Sequence, residues 1–154
     1  MSGIVIRRAL GEEAPALCGP ILRSVPEWFG IESATQKYIE EAGMLPTWVA
    51  FDGVEAAGFV SIRKHFPEAS DVHCMAVRRS HHGLGIGTLM MRHVEGVLQS
   101  EGVRFLQVKT MGPSRPNAEY AMTLRFYRSV GFVPLEEVTG LWPGLPTLIL
   151  VKAL

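Results

Sequence analysis

The segment His82-Gly83-Leu84-Gly85-Ile86-Gly87-Thr88 restricts the possible folds more than any other in the chain. Its alternating glycines follow an extended run, Asp71–Val77. They open a helical run, Ile86–Ser100, with Ile86, Leu89, Met90, Val94 and Val97 on one stripe. A strand that turns into a helix through glycines lets a ligand reach the backbone with no Cβ in the way. The first N–H groups of that helix lack intrahelical partners and sit at the positive end of its dipole. A phosphate cradle is therefore expected here. No lysine follows the glycines, so this is not a Walker A loop, and G-x-G-x-G halfway along the chain is not the dinucleotide fingerprint. The competing reading is that the glycines only serve tight strand–helix packing.

The flanking pattern supplies the rest of the fold. Ile4-Val5-Ile6 reads as a first strand. Ala14, Leu17, Cys18, Ile21, Leu22 and Val25 mark a helix face that ends before Pro26. Pro26–Gly30 reads as a loop carrying Trp28 and Phe29, and Glu32–Ala42 as a second helix closed by Gly43. Thr47–Phe51 and Val54–Phe66 read as strands joined at Asp52-Gly53, with a bulge expected at Gly58. After the glycine turn and its helix come a strand at Val103–Thr110, a loop at Met111–Glu119 and a helix at Tyr120–Val130. Strands at Phe132–Val138 and Thr147–Lys152 end the chain. The expected fold is α/β, a mixed sheet of about seven strands with helices on both faces. The strands on either side of the helix Ile86–Ser100 should be parallel, joined by a right-handed crossover. No linker or repeat divides the chain, so residues 1–154 are expected to form one domain.

Two segments carry a family resemblance. Val77-Arg78-Arg79-Ser80-His81-His82-Gly83-Leu84-Gly85-Ile86-Gly87-Thr88-Leu89-Met90 resembles motif A of the GNAT superfamily, the acetyl-CoA-dependent N-acetyltransferases. About 40 residues on, Thr123-Leu124-Arg125-Phe126-Tyr127-Arg128-Ser129-Val130-Gly131-Phe132 is similar to that family's A-x-x-(F/L)-Y-x-x-x-G-F segment. The element order is also the family's. His82 stands where motif A carries Arg or Gln, and Tyr120 and Thr123 stand where the family often has Asn and Ala.

The resemblance implies a splayed pair of parallel strands at Asp71–Val77 and Val103–Thr110. The backbone of Met75, Ala76 and Val77 would hold the acetyl carbonyl and pantetheine. His82, Gly83, Leu84, Gly85, Ile86, Gly87 and Thr88 would hold the pyrophosphate, and Asn117 is a further candidate for a cofactor contact. Tyr127 matches the tyrosine that protonates the leaving thiolate. Alternation along a regular strand puts Asp71, His73 and Met75 on one face and Val72, Cys74 and Ala76 on the other. His73 and Asp71 are the candidate bases, since imidazole titrates near neutrality (~6.5) and Asp71 falls where some members carry a glutamate. The loop residues Glu27, Trp28 and Phe29 are candidates for acceptor binding.

Composition narrows the partners. Fifteen Lys+Arg balance fifteen Asp+Glu, which argues against a polybasic nucleic-acid binder. The absence of a long apolar run argues against a membrane span. Two cysteines, Cys18 and Cys74, without a CxxC suggest neither a disulfide framework nor a zinc site, and no metal is expected. The N-terminal segment reads as a strand and not as a secretory signal. A cytoplasmic enzyme, monomeric or homodimeric, is expected, moving acetyl from acetyl-CoA to a small-molecule or peptide amine. The alternatives are transfer of another acyl group and a non-catalytic CoA-binding sensor.

Overall fold

A computed structural model describes residues 3–154. The elements in order are β1 (Ile4–Arg8), α1 (Glu13–Arg23), α2 (Glu32–Ala42), β2 (Thr47–Asp52), β3 (Glu55–Phe66) and β4 (Ala69–Val77). There follow α3 (Ile86–Ser100), β5 (Phe105–Met111), α4 (Ala118–Ser129), β6 (Val133–Trp142) and β7 (Leu145–Ala153). All seven strands form one sheet in the order β1-β2-β3-β4-β5-β7-β6, and only β4 and β5 run parallel. A sheet with this mixed pairing and one crossover helix between its parallel strands is the α/β architecture expected above.

Apolar side chains on the two faces form separate cores. On one face Cys18, Ile21 and Leu22 of α1 and Ile39 of α2 pack on Val49, Phe59, Cys74 and Ala76. On the other, Ile86, Met90, Val94 and Leu98 of α3 and Tyr127 of α4 pack on Val60, Ile62, Val72, Leu106 and Leu150. Among the described residues, no helix is long and apolar enough to cross a membrane.

Several boundaries differ from the sequence expectation, each for a local reason. The first hairpin turns at Gly53-Val54 and not at Asp52-Gly53, because Asp52 still pairs with Glu55 and Gly53 takes the positive φ of +62°. The bulge expected at Gly58 is present: Ala50 pairs with Gly58 but Phe51 with Ala56, leaving Ala57 unpaired. Helix α4 begins two residues early because Asn117 caps it, its side chain accepting from the Tyr120 N–H at 3.0 Å. The final hairpin is longer than expected, with β6 and β7 extending to Trp142 and Leu145 around Gly144.

The most consequential difference lies in β4. Ser61 pairs with Cys74 and Ile62 with Val72, so His73 is an extra residue with no partner on β3. Such a bulge reverses the alternation of faces beyond it. Val72 and Met75 therefore belong with the α3 core, while Cys74 and Ala76 belong with the α1 core. The expected single face for Asp71, His73 and Met75 is thus corrected. Asp71 and His73 stay on the side facing α2, and Met75 points the other way toward Gly87 of α3.

The parallel pairing of β4 and β5 also ends here. It runs from Ala69↔Phe105 to Val72↔Val108 and stops one residue before the bulge. From His73 to Val77, β4 has no strand partner on its β5 side, although β5 continues to Met111. The added twist of a bulge accounts for the parting of the strands.

Candidate active site

The glycine turn separates its glycines by role. Gly83 and Gly85 have φ of +78° and +81°, a backbone region that L side chains rarely adopt, and a Cβ on either would meet open space. Gly87 is different: a Cβ there would lie 3.0 Å from the Phe126 ring of α4. Packing therefore explains Gly87, whereas Gly83 and Gly85 shape an open turn. No side chain caps α3, whose N-cap is Gly85 itself. The residues present fit a bound anion, with uncapped N–H groups at a fifteen-residue helix's positive end and no Cβ before them. His82 is drawn aside, its Nε2 donating to the Val77 carbonyl at 2.8 Å.

Tyrosines surround the parted strands. The chain has three, Tyr38, Tyr120 and Tyr127. Burial raises the pKa of each phenol, Tyr38 to about 12, and the nearby Cys74 adds to the shift in all three. Asp71 adds further to Tyr127, which is 6% exposed and packed edge-on against Phe126 and Phe132. Tyr127 therefore keeps its proton at any working pH. Cys74 is buried and its thiol is pushed up, so it is neither thiolate nor nucleophile.

The raised phenols imply a stability effect at high pH. The folded state holds protons that the unfolded state releases from about pH 10, so stability falls as pH rises from there through 12. Alkaline titration should therefore show tyrosinate absorbance appearing together with loss of the circular dichroism signal. Tyrosinate appearing near pH 10 with the fold intact would contradict the burial of these rings.

The two candidate bases have different surroundings. Asp71 is 5% exposed; its Oδ2 accepts from Lys109 Nζ at 2.9 Å and lies 3.4 Å from His65 Nε2. Its Oδ1 is buried without a partner. Lys109 thus occupies the oxygen that Asp71 would offer as a base. His73 Nε2 lies 3.0 Å from Glu41 Oε1 on α2, and its ring stands edge-on to Tyr38. A carboxylate only accepts, so this contact puts a proton on Nε2, and in the neutral ring Nδ1 is then the free lone pair. Glu41 is fixed in turn by Arg63, whose Nη2 donates to Oε2 at 2.9 Å. Glu41 and Lys109 are not signalled by the sequence alone. Helical position hides the first, and only the register Lys109↔Ile149 and Asp71↔Gln107 brings the second to Asp71.

The loop residues are also occupied. Glu27 is ion-paired with Arg79 at the surface. Phe29 packs edge-on against Tyr38. Trp28 Nε1 donates to the Glu119 carbonyl at 3.0 Å and to Thr123 Oγ1 at 3.1 Å. Asn117 caps α4 and also lines a cavity of about 480 Å³ with Met111, Tyr120, Leu124 and Arg125.

A sequence model of the Acetyltransferase (GNAT) domain matches residues 45–134, which include the glycine turn, the parted strands and Tyr127. The chain belongs to the GNAT acetyltransferase family. It is an acyltransferase by that membership. Solved GNAT structures share the fold over nearly the whole chain. A GNAT-family protein from Desulfovibrio desulfuricans aligns with a TM-score of 0.82 at 19% identity, covering 97% of this chain and 98% of its own. A GNAT-family acetyltransferase from Elizabethkingia anophelis, solved with acetyl-CoA bound, gives 0.77 at 16%, covering all of both chains. The ribosomal-protein-S18-alanine N-acetyltransferase of Escherichia coli gives 0.78 at 15%, covering 97% and 93%. No curated protein matches this GNAT chain in sequence.

Proposed function

We propose that this GNAT protein acts as one domain over residues 1–154, moving an acetyl group from acetyl-CoA to a primary amine by direct attack in a ternary complex. The observation that carries this reading is the parting of β4 and β5 beside an open, uncapped glycine turn, with the Tyr127 phenol buried at the parting. Acetyl-CoA is also bound in the Elizabethkingia anophelis relative. The acceptor is a small-molecule or peptide amine, the enzyme is cytoplasmic, and it works as a monomer or homodimer.

In this reading, N–H groups from Gly83 to Thr88 bind the pyrophosphate, and the unpaired side of β4 at Met75, Ala76 and Val77 orients the arm and the carbonyl. When bound, acetyl-CoA supplies an activated thioester carbonyl. His73 Nδ1 takes the proton from the acceptor's ammonium through water, so that the free amine forms the C–N bond as the C–S bond breaks, and the second nitrogen proton leaves to water as the amide forms. Glu41 holds the imidazole in the tautomer this requires. Tyr127 gives its hydroxyl proton to the departing sulfur and recovers one from solvent. Burial makes this phenol a weak acid, but the same dry surroundings raise the basicity of the sulfur. Asp71 keeps Lys109 in place.

Thiol release from acetyl-CoA over a panel of amines tests the reading. Faster release with succinyl-CoA or longer acyl groups would point to another acyl transfer. CoA binding with no turnover on any amine would point to a sensor.

The assignment of the base has its own test. His73→Ala should lower kcat by roughly 10²–10⁴ while acetyl-CoA affinity holds. Asp71→Asn should act on stability, because it leaves Lys109 without its partner, a loss bounded by the ~3–5 kcal/mol of a fully buried pair. A drop in kcat from Asp71→Asn at unchanged melting temperature, with none from His73→Ala, would transfer the role to Asp71.

A further inference from the structure

The loop between α1 and α2 is fastened both to the glycine turn and to α4, so it spans from one to the other across the candidate cofactor groove between them. On the glycine-turn side, the Arg79 N–H donates to Ser24 Oγ and Arg79 Nε to the Ser24 carbonyl, each at 3.0 Å. Arg79 also pairs with Glu27, and the Trp28 indole stands edge-on to His82 with centroids 6.0 Å apart. On the α4 side, Trp28 donates to Glu119 and Thr123, and the Tyr120 hydroxyl donates back to the Trp28 carbonyl at 2.9 Å. One residue thus meets α4 through three hydrogen bonds while its ring touches the glycine turn. The first turn of α3 also meets α4, where Gly87 packs on the Phe126 ring.

We infer that Trp28 is a clasp that closes this groove into a channel and holds the pantetheine arm of CoA in it. The inference rests on the cofactor reading proposed above. An open groove would let the arm leave sideways. Under the clasp the arm leaves lengthwise only, or after the bonds to α4 have opened. Trp28 is a positioning residue for the cofactor in this account, and Thr123 and Tyr120 are its anchors.

Calorimetric CoA titration and stopped-flow CoA displacement test the clasp. Thr123→Val and Tyr120→Phe together remove two of the three anchoring bonds and keep the indole. They should speed CoA release about tenfold, the order expected for the net loss of two hydrogen bonds. Trp28→Ala should weaken CoA affinity at least as much. CoA should shift indole emission in the wild type, and Trp28→Phe should abolish that shift while Trp48 and Trp142 remain. Unchanged release and affinity in folded double-anchor variants, or an emission shift that survives Trp28→Phe, would overturn the clasp. Failure of the wild type to bind CoA would overturn the cofactor reading and the clasp together, so the two failures are distinguishable. Should Trp28→Ala not fold, the anchor variants decide.

Discussion

Tyr127→Phe is expected to lower kcat by roughly 10²–10⁴, equivalent to ~3–5 kcal/mol in the barrier, with the melting temperature unchanged. The ring is the structural part of this residue. It packs on Phe126 and Phe132 within the α3 core, and phenylalanine keeps those contacts. Among the described residues the hydroxyl makes no hydrogen bond that phenylalanine would lose. CoA affinity should also hold, because the pyrophosphate turn is untouched. Steady-state kinetics paired with thermal unfolding and CoA titration checks all three parts. A fall in stability that matches the fall in kcat would make Tyr127 a core residue alone. So would a CoA-bound structure with the hydroxyl more than about 6 Å from the sulfur, beyond one bridging water.

Gly85→Val is expected to weaken CoA binding by at least about 100-fold, or ~2.7 kcal/mol. Two effects combine at this position. A φ of +81° costs a non-glycine residue ~1–2 kcal/mol, more for a β-branched one, so the turn either strains or rearranges. If it holds, the new side chain enters the open space before the α3 N–H groups. Gly102→Val supplies the control. It introduces similar strain at φ +92° just after the C-terminal end of α3, again in open space, but a whole helix length away from the glycine turn. Calorimetry on both should show CoA affinity lost in the first and retained in the second. Retained affinity in folded Gly85→Val would place the pyrophosphate elsewhere.

Periodicity and glycine spacing made the sheet, its parallel pair and the turn legible in the sequence. Strand Ile4–Ile6, helix Glu32–Ala42 and helix Ile86–Ser100 sit where the pattern put them, because each has an apolar face matched to one core. The site was legible only as far as local pattern reaches. Gly83, Gly85 and Tyr127 lie in contiguous motifs. Glu41 does not: it comes to His73 from 32 positions away, across the packing of α2 on the sheet. Trp28 likewise reads locally as a loop aromatic, and its bonds to α4 span more than 90 positions. The bulge was missed because nothing in the string Asp71–Val77 announces it. It contains no glycine, and the evidence for the extra residue lies in the register of β3.

That extra residue also sets a rule for moving this site between proteins. Before His73 the odd-numbered positions of β4 face α2; after it the even-numbered ones face α1 and α2. The strand is two half-strands in opposite phase, and position 73 is the joint. A transplant that copies β4 onto a regular strand residue for residue keeps one half in phase and turns the other inside out. It would bring Asp71 to the correct side only by burying Met75 where Cys74 belongs. Any design that borrows this chemistry must therefore carry His73 and its paired neighbours Val72 and Cys74 as one unit.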